Sequence, residues 1–370
     1  MTDSTPNPGA FEPCTAIEFS AKTLTDDSQA NEAHIRRRLL KIVSIFVLSL
    51  SIIASASSHT LCAQPFKKDL GIKGLELPWL HSIITSGSFP FGFVIWLIIA
   101  RGKIEVPSWA RWRSYAVLAF FNAADILFGS FALNILPAAQ YAILRGSSLI
   151  FVVILSKVMT RKQFNIWQYT AVGLMSVAVV LMTITDTTDP EKRRELLDLS
   201  GNKVWGIFAA ITGSVFVSLL SVATQKLFAA DQSKGDLQFV CQINCCQSFL
   251  ATVMLLPIAF FTEEFHSLST NLATISAAGF MPKMLWLLAG MSISAPIMLF
   301  ANIGLTSVTS ATFARSLGGP RRIVIIVMSW LLFNQEINVL TAIAALFMTL
   351  SLGIYIYGGH RLQQSKQSSK

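Results

Sequence analysis

Four arginines and one aspartate stand where the sequence is otherwise apolar. Arg145, Arg315, Arg321 and Arg322 fall inside long hydrophobic windows, and Asp125 is the one acidic residue that does. An arginine near the bilayer centre costs roughly 2.5–3.5 kcal/mol, so four cost on the order of 10 kcal/mol. That is as much as the whole stability of a typical domain. Such a set persists where it faces a wet cavity, a counter-ion or a solute. Guanidinium forks match carboxylate and phosphate oxygens two at a time. The expected ligand is therefore a small anionic molecule, with a phosphorylated one the first choice.

Each cation also has a plainer reading. Arg145 could bond carbonyls of a neighbouring helix or pair with Asp125, which would then act as counter-ion or gate. Arg315 could snorkel to the membrane surface. Arg315 and Arg322 are seven residues apart and share a helix face, whereas Arg321 is turned about 100° from Arg322. Immediately before them, Gly318, Gly319 and Pro320 are expected to form a hinge, because proline removes a backbone donor and glycine lets the chain open. Tyr141 lies one turn before Arg145 and could stack on a ring, and Gln140 could hydrogen-bond a ligand.

The elements that carry these residues follow from hydropathy. Hydrophobic residues make up 53% of the 370 and charged residues 13%, about half the share of a soluble domain. Mean hydropathy is +0.57. So much apolar side chain cannot be hidden in one aqueous core. The chain reads as an all-α, polytopic membrane protein in contact with the lipid bilayer. Ten apolar windows run over 39–62, 77–100, 114–134, 137–160, 165–185, 203–229, 239–261, 281–303, 308–333 and 337–358. Each is long enough to cross a hydrocarbon core of roughly 30 Å.

The expected organisation is a disordered cytosolic tail over 1–38, five helices over 39–185 and a lumenal loop over 186–202. Five more helices over 203–358 and a cytosolic tail over 359–370 complete it. Roughly twice as many Lys and Arg lie on the side of the termini as on the other, which puts both termini in the cytosol. The net charge of +9 is thus a topology signal. Nucleic acid is not expected as a partner, since no basic run is interleaved with aromatics.

Other chemistry is not indicated. There is no Gly-x-Ser-x-Gly elbow, no His-Glu-x-x-His pair and no P-loop, so no enzyme and no cofactor are expected. Cys241 and Cys245 share a helix face. They lack His or carboxylate companions at ligand spacing, so no metal is expected and the run from Cys241 to Gln247 reads as packing.

A shift of 173 residues lays Ala138–Met175 on Ala311–Met348. Among the identities are Leu144/Leu317, Gly146/Gly319, Ala171/Ala344 and Met175/Met348. With five spans per half, the halves are expected to lie inverted in the membrane.

Two inverted five-helix halves look like the drug/metabolite transporter superfamily. The fourth window, Leu144-Arg-Gly-Ser147 through Ile150-Phe151 and Ser156, resembles a segment of solute carrier family 35 and of chloroquine-resistance-transporter-like proteins. The ninth, Ser316-Leu-Gly-Gly-Pro-Arg-Arg322, is similar to segments of triose-phosphate translocators and GDP-mannose carriers, with Arg where several of them have Lys.

The resemblance implies that Arg321, Arg322 and Arg145 contact substrate phosphates. It implies alternating-access exchange, with a nucleotide sugar for a nucleoside monophosphate as first choice, in a Golgi or ER membrane. A homodimer is possible. A drug/metabolite or amino-acid carrier of a vacuolar or lysosomal membrane, and a non-transporting scaffold, stay open as alternatives.

Overall fold

The computed structural model describes residues 39–40, 42–59, 78–87, 89–101, 106–136, 141, 144–161, 163–185, 201–231, 236–262, 266–277, 279–333 and 339–368. Among them the elements are helical and none is a strand. The tail expected over 1–38, Gln140 and most of the loop expected over 186–202 lie outside the described residues. Two compact units divide the chain, residues 1–47 and residues 48–370. The described part of the first is helical. Every contact given below belongs to the second.

The helices in chain order are α1 (Ile42–His59), α2 (Pro78–Gly87), α3 (Phe89–Ile99) and α4 (Trp109–Ile135), then a 3₁₀ turn (Arg145–Ser147) that leads into α5 (Ser148–Thr160). There follow α6 (Ile166–Thr185), α7 (Gly201–Ala230), α8 (Leu237–Phe260), α9 (Leu268–Ala277), α10 (Met281–Val308), α11 (Ala311–Ser316), α12 (Gly318–Phe333) and α13 (Val339–Ser368). Among the described residues, 7 helices are long and apolar enough to cross a membrane.

Several expected windows change shape. The window at 77–100 is described on either side of residue 88, and its stretch Ser82–Ile99 is one of the candidate spans. The window at 308–333 divides. Val308 closes α10, and Ser310 caps α11 by accepting from the Phe313 amide at 3.3 Å. The Ala311 amide donates to Gln225 Oε1 at 3.0 Å. Hydropathy sees none of these stops, because the side chains on both sides are equally apolar. α9 occupies a link in which no window was expected, and the α13 backbone stays helical through Ser368.

Small residues set the closest helix pairs, since packing rather than water exclusion holds helices together in lipid. α4 meets α7 where Ala132 touches Ala209 and Ala210. A Cβ on Gly206 would stand 2.9 Å from Ile135 Cγ2. α6 meets α13 through Ala178, Met175 and Met348, and Ser351 Oγ donates to the Ala171 carbonyl at 2.7 Å. At the end of that pair a Cβ on Gly358 would fall 2.8 Å from Trp167 Cβ and 3.2 Å from the Gln168 amide nitrogen. A Cβ on Gly353, in the same helix, would meet nothing within 4 Å.

The two glycines of α13 should therefore respond differently to one added methyl. Gly358→Ala is expected to destabilise by about 1–3 kcal/mol, the usual cost of overpacking. Gly353→Ala should leave the thermal midpoint of the detergent-solubilised protein unchanged or slightly raised. Equal midpoints for the two variants would count against this packing.

Candidate functional site

The centre of the site is the ion pair between Asp125 on α4 and Arg145 in the 3₁₀ turn. The guanidinium grips the carboxylate with both terminal nitrogens, Nη1 on Oδ1 and Nη2 on Oδ2, the latter at 3.2 Å. The Asp125 side chain is 10% exposed and that of Arg145 24%. The Tyr141 ring lies against the guanidinium, 5.5 Å from centroid to Cζ, a cation–π contact.

Two facing glycines make room for the pair. A Cβ on Gly129 of α4 would come within 2.9 Å of Tyr141 Oη. One on Gly213 of α7 would stand 3.3 Å from Arg145 Nη1, 3.5 Å from Asp125 Oδ1 and 3.6 Å from the Gly129 nitrogen.

The chain around Arg145 departs from α-helical geometry, which leaves carbonyls in need of donors. α7 supplies them. Ser214 Oγ donates to the Leu144 carbonyl at 3.3 Å, and Ser218 Oγ donates to the Ser148 carbonyl at 2.8 Å. One turn further, Ser221 Oγ accepts from Arg315 Nε at 2.7 Å, and the Val217 carbonyl accepts from Arg315 Nη2 at 3.3 Å. Serines 214, 218 and 221 thus form a stripe at helical spacing that holds both interrupted segments. Sequence reasoning passed over them, although their spacing was visible.

The predicted site residues fall out as follows. Arg315 does not run to the surface but is held by α7. Arg321 Nη2 donates to the Ala56 carbonyl at 3.2 Å. Asp125, Arg145 and Arg321 all act electrostatically on Arg315, and Arg145 and Tyr141 act on Arg321, so these groups share one neighbourhood. Gln140 and the side chain of Arg322 lie outside the described residues.

Where a hinge was expected at Gly318, Gly319 and Pro320, the structure has a helix boundary that lies just before them. Helix α11 ends at Ser316, Leu317 carries the break, and α12 starts at Gly318 with Pro320 in its first turn, where proline is tolerated. Neither Gly318 nor Gly319 takes a positive φ. Gly319 serves close packing instead, since a Cβ there would stand 3.5 Å from Met348 Cβ.

Further along the fold, α8 carries amides that sequence reasoning left as packing. Tyr115 Oη donates to Gln242 Oε1 at 2.9 Å, and Asn244 Nδ2 donates to the Pro296 carbonyl of α10 at 3.4 Å. Cys241 and Cys245 pack on Trp96 and Ala100. Among the described residues no three His, Cys, Asp or Glu side chains gather as ligands would. His59 is buried, with Thr85 Oγ1 3.5 Å from one ring nitrogen and Ser294 Oγ 3.4 Å from the other.

With this geometry in hand, likeness to known proteins becomes informative. The PUNUT family profile, described as purine nucleobase transmembrane transport, matches residues 41–366. Putative purine permease 19 of Arabidopsis thaliana is 20% identical over 93% of this chain and 91% of its own length. Probable purine permease 23 of the same plant is 21% identical over 81% of this chain and 77% of its own. The nucleotide sugar transporter SLC35B4 of Homo sapiens is 24% identical, over 41% of this chain and 46% of that protein. A solved crystal structure, 12% identical, superposes with a TM-score of 0.56 over 86% of this chain and 99% of its own, which is a likeness of fold.

The ion pair makes a direct prediction. Asp125→Ala strands the Arg145 charge and should cost about 3 kcal/mol, the low end for a broken buried pair. Adding Arg145→Ala should recover most of the loss. A double-mutant cycle on thermal midpoints checks it, and additive effects would mean the two groups are independent.

Proposed function

The chain belongs to the PUNUT family of purine nucleobase transmembrane transport, and from that premise we propose that it is a secondary carrier for a neutral, planar nitrogen heterocycle of purine type. One observation carries the choice of a neutral solute over an anion. Arg145, the cation of the broken turn, is ion-paired with Asp125, and the Arg315 guanidinium is engaged by Ser221 and the Val217 carbonyl. One of the charges that pointed to a phosphorylated ligand is thus neutralised within the protein, and a second guanidinium is already hydrogen-bonded there.

The carrier is built as ten helices in two inverted halves. Three observations support this reading. The helix breaks fall at Leu144–Ser147 and at Leu317, positions that the 173-residue shift superposes. Met175 and Met348, equivalent under the same shift, belong to one buried cluster. On α7, the bonded residues of the first break rise with the helix numbering, Leu144 with Ser214 and Ser148 with Ser218. Those of the second fall, Ala311 with Gln225 and Arg315 with Ser221. The two segments therefore run in opposite directions along one helix.

A second reading keeps a nucleotide sugar as the solute. It is favoured by the net positive charge of Arg315 and Arg321 near the pair, and by the partial likeness to a nucleotide sugar transporter.

Proteoliposomes separate the two. Labelled adenine should enter saturably and be displaced by excess hypoxanthine, while UDP-sugars leave uptake unchanged. Uptake of a UDP-sugar stimulated by internal UMP, and lost in Arg315→Gln, would replace the first reading by the second.

A further inference from the structure

Gln247 of α8 is fully buried, and neither its Nε2 nor its Oε1 has a hydrogen-bond partner among the described residues. Asn244, one turn earlier on the same face, has its Oδ1 without a partner as well. Buried amides are almost always paired, because leaving one unpaired forfeits its hydration for nothing. The protein pairs the neighbouring Gln242 with Tyr115. A leucine or methionine would fill the space of Gln247 without that cost.

The surroundings say what this amide faces. Asn244 reaches the Pro296 carbonyl of α10, and a Cβ on Gly92 of α3 would stand 3.6 Å from Asn244 Nδ2. Four residues beyond Gln247, Ala251 packs with Ala119 and Ala123 of α4. Gln247 therefore lies on the row of α8 that faces the interior between α3, α4 and α10.

α8 and α10 run antiparallel there. Val240 sits beside Gly304, and Asn244 beside Pro296. Pro296 has no N–H, so the Ser292 carbonyl lacks its helical donor. Pro296 thus interrupts the backbone bonding of α10 where Asn244 meets it.

We propose that Gln247, assisted by Asn244, reads the hydrogen-bonding edge of the transported heterocycle. A carboxamide presents a donor and an acceptor in one plane, the pattern that pairs in two places with an adenine edge. The amide is uncharged, which suits a neutral ring and offers a phosphate no counter-charge. The inference rests on the carrier reading above and deepens it by naming the contact that sets specificity.

The test uses the full chain in detergent, with adenine as probe and thermal midpoint and binding as readouts, on the parent, Gln247→Met and Gln247→Asn. The parent should be stabilised by adenine. Gln247→Met should melt at the same temperature or higher without ligand, lose the adenine shift and bind at least tenfold more weakly. Gln247→Asn, which keeps the amide but shortens its reach, should fall between.

Unchanged adenine binding in Gln247→Met overturns the assignment. So does a ligand-free midpoint that drops in Gln247→Met, since the amide would then be holding the fold or a buried water. A parent chain that ignores adenine but responds to a UDP-sugar instead overturns the neutral-solute reading, an outcome distinct from either of these.

Discussion

A polar group placed among lipid-spanning helices needs a partner from the protein or from a bound solute, because hydrocarbon offers none. In this chain one helix bears much of that demand. α7 gives hydroxyls to the carbonyls exposed by the broken turn at Arg145, a hydroxyl and a carbonyl to Arg315, and an amide oxygen to the first N–H of α11. Its Gly213 also yields the space that the Asp125–Arg145 pair occupies. The interrupted segments can exist only because this helix meets their unpaired atoms.

The same constraint explains what could be read from sequence. A charge in an apolar window is visible without any structure, so Asp125, Arg145, Arg315 and Arg321 stood out at once. Their partners did not. Serine is ordinary in membrane helices, and nothing in Ser214, Ser218 or Ser221 announces which carbonyl it will meet. Counting charges therefore gave a strongly cationic centre, whereas in the folded chain Asp125 neutralises Arg145, and hydroxyl and carbonyl oxygens hold Arg315 and Arg321. The anionic substrate was inferred from the count, and the pairing is what weakens it.

Fold boundaries failed for a related reason. Hydropathy marks where lipid is and is blind to where a helix stops. The break in the ninth window lies at Leu317 because Ser316 closes one helix and Gly318 opens the next, with Pro320 sitting harmlessly in the new first turn. Proline thus stands just past the helix boundary and not at it. Gln247 was passed over because an amide beside cysteines looks like filler until its lack of partners is seen.

The serine stripe on α7 has a mechanical consequence. It engages one segment that runs along with it and another that runs against it. Sliding the helix along its axis would strain both sets of bonds together, while the two segments would experience the shift in opposite chain directions. The helix thus works as a common rail: neither segment can shift along it without loading the bonds it shares with the other.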